Sequence, residues 1–210
     1  MSTQNPKLVM DTNSVVFECL YKIRKVKLFI NGRMLIKDLS KRDSRIQLTH
    51  DKFSSYRQRG IDIFTTETIT NELKKLDHHI KNHLFKYLQG NAPTFIESLL
   101  TKSRYEIDTL MQKITHLDTK VPPLLNQQII CDFQSCSHNL SGEEKNEFLR
   151  RNKPFFPETS DINIIAECIS LISNNKEEIY LLTDDLHFCS ETYKKYLRSK
   201  SIIVDEIMIP

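Results

Sequence analysis

Five carboxylates stand where a chain of this kind can do chemistry. Asp11 follows the apolar run Leu8-Val9-Met10, and Asp184 and Asp185 follow the run Ile179-Tyr180-Leu181-Leu182. Glu72 and Asp161 fall in the first two turns of segments with helical periodicity. A carboxylate at the switch from strand to helix sits at the carboxyl edge of an α/β sheet, where ligands bind. Several acids on one rim repel unless a positive charge holds them. Hard divalent cations such as Mg²⁺ or Mn²⁺ do so through carboxylate oxygens and retained waters. A site of that kind activates water and stabilises the charge that develops on a phosphodiester. Taken singly, each acid has an ordinary explanation. Asp11 serves as a helix cap, Glu72 as an exposed helix former, and Asp161 as a partner of the helix dipole. The repeated placement is what speaks for chemistry.

The elements that must position these acids are readable. Short apolar runs at Leu8–Met10, Ile61–Phe64, Ile179–Leu182 and Ile202–Val204 predict buried strands. Helices are expected from Ser14 to about Phe29, and from Thr65 or Thr66 to Leu76. Others are expected over His79–Leu88, from Pro93 to about Leu117, from Ser141-Gly142 onward, from Ser160-Asp161 onward, and over Glu191–Leu197. Asn31-Gly32 is a turn signal, and Lys37 to Gly60 reads as a helix with a mobile loop. Strands alternating with helices imply a mostly parallel central sheet covered on both faces. The expected organisation is a single domain over 1–210, with 77–151 as a predominantly helical insertion lacking strand signals.

Composition narrows the class. With 210 residues, 39% hydrophobic and 27% charged, the chain can build a real core and is not a disordered polyelectrolyte. Four glycines argue against a glycine-rich nucleotide loop, and no GxSxG, GxxxxGK[ST] or GxGxxG motif occurs. Five scattered cysteines fit a reducing compartment better than a disulfide framework. No apolar run approaches a membrane span, and Met1–Lys7 lacks the apolar core of a signal peptide. The expected location is intracellular, cytoplasmic or nuclear, and not secreted.

Charge is segregated. The net charge is +3, yet Tyr21 to Gly60 holds twelve basic residues against three acidic ones. The alternative to a polyanion footprint is a solvated helix face. Together with the acidic rim, the basic stretch favours a grip on a phosphate backbone. Arg24, Lys25, Lys27, Lys41, Arg42, Arg45, Arg57 and Arg59 are the expected contacts. Asn13 and Ser14, next to Asp11, are suited to shaping its turn or supporting the carboxylate.

The segments LVMDTNS, TTETITNELKKL, SDINIIAEC and IYLLTDDLHF, taken in order, resemble the four acidic motifs of the PIN-domain nucleases. The resemblance spans Leu8 to about Val204. It implies a Rossmann-like α/β/α sandwich that cleaves single-stranded RNA with Mg²⁺ or Mn²⁺. It also implies that Asp11, Glu72, Asp161 and Asp185 are the metal-binding acids. Asp184 falls where the family often has Asn and is expected to contribute to the metal site or substitute in it, and Thr183 matches a small hydroxyl residue that supports the site. Extra length between the first and second motifs, and again before the third, points away from compact toxins and toward RNA processing or decay. The alternative is a catalytically inactive PIN-like module that binds RNA or a protein partner, the latter through the helical insertion.

Other patterns are weaker. His79 and His83 stand at i, i+4 but without an HExxH pattern. Cys131, Cys136 and His138 lack a fourth ligand nearby, and the cysteines read as buried or idle.

Overall fold

The structure is a computed structural model that describes residues 6–30, 33–75, 80, 93–116, 120–175 and 178–207. The expected turn at Asn31-Gly32 and the expected helix over His79–Leu88, with His79 and His83, lie almost wholly outside these residues.

The chain begins with β1 (Lys7–Met10), whose Leu8, Val9 and Met10 are fully buried. Such an unbroken apolar run suits a central parallel strand, which is covered on both faces. It leads into α1 (Thr12–Lys22), capped by the Asp11 side chain. Two antiparallel strands follow, β2 (Lys25–Ile30) and β3 (Arg33–Asp38), which form a separate two-stranded sheet. Next come α2 (Ser44–Gln58), β4 (Asp62–Thr65), α3 (Glu67–Lys74), α4 (Pro93–Met111) and β5 (Thr115–His116). The remainder is α5 (Pro123–His138), α6 (Gly142–Arg150), α7 (Thr159–Asn175), β6 (Ile179–Thr183), α8 (Leu186–Cys189), α9 (Glu191–Ser199) and β7 (Ile202–Glu206).

The main sheet has five strands in the order β5-β4-β1-β6-β7, all pairs parallel. The protein is therefore α/β, with helices flanking a parallel sheet. α1 packs against α2 and α4, while α7 packs against α3 and α5. α7 buries Ile162, Ile164, Ile165, Ala166, Cys168, Ile169 and Leu171, covering much of its circumference, as expected of a helix packed on more than one side. Burying each of its isoleucine and leucine side chains contributes roughly 1.5–3 kcal/mol before entropy is counted.

Three expectations need correction. The first helix stops at Lys22, where Ile23 caps it, and does not run on to Phe29. Lys25, Val26 and Lys27 alternate exposed, buried and exposed, a period of two that suits a strand. Leu39 N donates to Arg24 O at 2.9 Å and closes the base of that hairpin. Second, the stretch from Lys37 to Gly60 holds the expected helix, α2, with Ile46, Thr49, Phe53 and Tyr56 buried, but Lys37 and Asp38 finish β3 and Leu39–Lys41 form a 3-10 turn where a mobile loop was expected. Third, the span 77–151 is not free of strands. Its helix from Pro93 ends at Met111, and Thr115 and His116 extend the main sheet beside β4.

Among the described residues, no helix is long and apolar enough to cross a membrane.

Candidate functional site

In a parallel sheet all strands end on the same side, and here that side carries a cleft of about 680 Å³. Asp11, Glu72, Asp161 and Asp185 all line it. Each is delivered by its own element: Asp11 directly after β1, Glu72 from the second turn of α3, Asp161 from the first turn of α7, and Asp185 two residues after β6. Asn13 lines the cleft too, whereas Asp184 does not.

Asp11 is a helix cap and a cleft residue at once. Its Oδ1 accepts from Ser14 N at 2.7 Å, and its Oδ2 accepts from the Thr183 hydroxyl. The Ser14 hydroxyl lies 2.5 Å from Asp11 Oδ1 and 2.6 Å from the Leu182 carbonyl oxygen. One hydroxyl proton cannot satisfy two acceptors, so a proton on Asp11 would complete the chain from Asp11 through Ser14 to Leu182. Burial accordingly pushes the Asp11 carboxyl up to about 7, the charge of Asp184 adds to it, and the Ser14 and Thr183 hydrogen bonds oppose it.

Asp161 and Asp185 form the second half of the site. Asp161 Oδ2 accepts from the Glu158 N–H at 3.1 Å, which holds the carboxylate at the start of α7. Burial, reinforced by Asp185, pushes it up to about 7. Burial works in the same direction on Asp185, but His187 and Lys153 outweigh it and hold this carboxyl well below the usual range. Lys153 Nζ lies 2.8 Å from Asp185 Oδ2. His187 is almost fully buried, with Nδ1 at 3.0 Å from Asp185 Oδ1 and 3.8 Å from Asp161 Oδ2. Its Nε2 lies 2.9 Å from the Pro154 carbonyl oxygen. A carbonyl only accepts, so Nε2 carries the proton there, and Nδ1 meets the carboxylates across a shared proton or cation.

Glu72 accepts a hydrogen bond from the Thr12 hydroxyl, tying the second motif to the first. Thr183 also accepts from Asp185 N at 3.0 Å, so one hydroxyl joins Asp11 to the turn that carries Asp185. Asp184 points elsewhere. Its Oδ1 accepts from Asn13 Nδ2 at 2.9 Å and its Oδ2 from Arg45 Nη1 at 2.7 Å.

The eight basic residues expected to hold a backbone are not brought together. Arg45 is drawn to the cleft end of the sheet by Asp184 and Asp43. Lys41 and Arg42 are exposed just before α2. Arg24, Lys25 and Lys27 follow the far end of α1, and Arg57 and Arg59 end α2 just before β4, so these five lie toward the other end of the strands. Lys25 and Lys27 border a separate groove with Lys22, Lys102 and Tyr105. Among the described residues, the cations lining the cleft are Lys75 and Lys153.

Sequence reasoning therefore missed Lys75, Lys153 and His187. The nearest signal was the position of His187, two residues after Asp185 within the same motif. Lys153, in the segment joining α6 to α7, had none.

The donor set fits a hard divalent cation. Four carboxylates converge from four elements. Oxygens of Asp161 and Asp185 and a nitrogen of His187 lie within 4.8 Å of one another. Two of the acids are pushed toward neutrality mainly by burial, the condition a bound cation relieves.

No protein-family model and no curated protein matches the chain. Among solved structures it is similar to VapBC2 from Rickettsia felis bound to a DNA fragment from their promoter. The identity is 12% over 95% of this chain and 97% of that chain, with a TM-score of 0.39.

Proposed function

We propose that this chain is a PIN-type, metal-dependent endoribonuclease that hydrolyses phosphodiester bonds of single-stranded RNA, in RNA processing or decay. The observation that carries the reading is the convergence of Asp11, Glu72, Asp161 and Asp185 in one cleft at the carboxyl edge of the sheet. Asp11, Asp161 and Asp185 would hold Mg²⁺ or Mn²⁺, with Glu72, tied to Thr12 beside Asp11, as a further ligand or as the group that orients water. Bound there, the metal supplies an acidified water and neutralises charge on the phosphate.

The chain's own residues do the rest. Thr183 and Ser14 fix the Asp11 carboxylate, and His187 fixes Asp185 from the protein side. Lys75 and Lys153 offer cations to a backbone entering the cleft. Asp184 serves by anchoring Asn13 and Arg45 rather than by binding metal.

Asp11→Asn tests this reading, because Asn is as good a helix cap as Asp and keeps α1 intact. Single-stranded RNA, hairpin RNA and flap DNA are incubated with Mn²⁺. Cleavage of the single strand by the wild type, lost in a folded Asp11→Asn protein, supports the assignment. Unchanged cleavage in the variant overturns it. A wild type that binds RNA and cuts nothing belongs to the inactive binding class.

A further inference from the structure

A second groove, of about 460 Å³, opens beside the acidic cleft and shares Thr68, Asn71 and Asn163 with it. Its other walls include Lys120, Asn126 and Glu167. Glu167 is only 5% exposed, yet it is no partner of the four acids. Its Oε1 accepts from Thr68 N at 3.1 Å and from Thr68 Oγ1 at 2.9 Å, which pins the side chain to the start of α3. Its Oε2 is buried with no hydrogen-bond partner among the described residues, and the same holds for Asn126 Oδ1. Buried acceptors are normally satisfied, so two of them on one groove point to donors supplied from outside.

The groove thus offers two acceptors in want of donors and one exposed cation, Lys120. Among the bases, guanine has the matching edge: O6 accepts, while N1–H and the N2 amine donate side by side. Adenine and cytosine each present one exocyclic donor beside a ring acceptor, and uracil flanks its single donor with two carbonyls. A phosphate is disfavoured, because Glu167 and Glu67 both stand on the groove.

We infer that this groove is a nucleobase subsite that takes guanine from the nucleotide next to the phosphodiester held in the acidic cleft. Glu167 and Asn126 receive the N1–H and N2 donors, and Lys120 reaches O6. The assignment of the neighbouring phosphodiester rests on the nuclease reading above. Base selection itself does not.

The test is binding of metal-free protein to labelled RNA pentamers in EDTA at low salt, read by fluorescence anisotropy, so that cleavage plays no part. The pentamers carry guanine, inosine, adenine, cytosine or uracil at the centre of a uridine frame. Guanine is expected to bind about tenfold tighter than inosine, which lacks the N2 amine, and tighter than the other three bases. Glu167→Gln keeps the acceptor for Thr68 but places an amide where the free oxygen stood. It is expected to abolish the preference for guanine and leave the all-uridine affinity unchanged. Lys120→Ala, at an exposed position, is expected to weaken guanine and inosine equally relative to uridine, and decides the matter if Glu167→Gln does not fold.

Equal affinity for all five pentamers, or no binding at all, overturns the subsite. So does a preference for another base, or a preference for guanine that survives both substitutions. A protein that selects guanine but cuts nothing with Mn²⁺ keeps the subsite and loses the nuclease reading. One that cuts without base preference does the reverse.

Discussion

Thr183 donates its hydroxyl to the Asp11 carboxylate across 172 residues of sequence, and the same oxygen accepts from the backbone N–H of Asp185. One small side chain at the end of β6 thereby couples two of the acids to one another. Thr183→Val keeps the shape, removes the donor to Asp11 and removes the acceptor for Asp185. The expected cost is about 1–3 kcal/mol of stability, because two buried polar groups lose a partner. Mn²⁺ affinity is expected to fall about ten- to a hundredfold, as when a metal ligand loses its supporting hydrogen bond. Thermal melts with and without Mn²⁺ measure both.

Asp11 and Asp161 give the metal-free protein an unusual pH profile. Both are pushed up to about 7, so between the ordinary carboxyl value of 3.8 and 7 the folded chain binds protons that the unfolded chain has already released. Their contribution to stability is complete below about 4 and is lost as the pH rises through 7. The melting temperature in EDTA is therefore expected to fall from pH 5.5 to pH 7.5. Mn²⁺ should restore more of it at the higher pH, since the cation competes with protons for the same oxygens.

Lys153 competes with any cation for Asp185. Its Nζ sits 2.8 Å from Oδ2, and its charge is held on by that carboxylate despite partial burial. Lys153→Met is expected to destabilise the metal-free protein, because Asp161 and Asp185 then face each other with less countercharge. The gain in melting temperature on adding Mn²⁺ should be larger than in the wild type. An unchanged gain would mean that the ammonium group and the metal do not share the site.

Glu144 offers an acid-side control away from the cleft. Its carboxylate accepts from Ser141 N at 2.8 Å, Thr192 N at 2.8 Å and Thr192 Oγ1 at 2.9 Å, and so ties the start of α6 to the start of α9. Burial opposes its charge, but the Thr192 and Ser141 hydrogen bonds win and hold the carboxyl down at about 2. Its contribution is present above about 4.5 and is lost as the pH falls toward 2. Glu144→Gln should lower stability at pH 7 by about 1 kcal/mol, because the hydrogen bonds from Thr192 and Ser141 lose the charge on their acceptor. The difference from the wild type should shrink in acid, as read by urea denaturation at both pH values.

The acids were legible in the sequence because local signals mark them. An Asp directly after Leu8-Val9-Met10 or after Leu182-Thr183 has few places to go in an α/β fold. Which of two adjacent Asp residues enters the cleft was not legible. Asp185 caps α8 and turns inward, while Asp184 turns to Arg45 and Asn13, and that choice is made by partners more than a hundred residues away. The basic run from 21 to 60 misled for a related reason. A count of charges along the chain ignores that α1 and α2 traverse the sheet lengthwise and carry their ends to opposite sides. The hairpin of β2 and β3 was hidden because Lys25 and Lys27 look like a helix's wet face until Val26 is seen buried between them. Lys153 and His187 acquire their meaning only from tertiary neighbours.

β1 lies at the centre of the sheet, between β4 and β6, and Lys7 pairs with Ile179. That register has a consequence for how the molecule comes into being. Closing so long a loop costs entropy before any contact repays it, which makes the pairing slow and late. On the ribosome, β1 emerges well before β6 and must wait for it before its second edge is covered. Until then Asp11 and Asp185 belong to unconnected pieces of polypeptide. A nascent chain thus carries no assembled cleft, and whatever chemistry the cleft performs is withheld until β6 and the turn after it have been made.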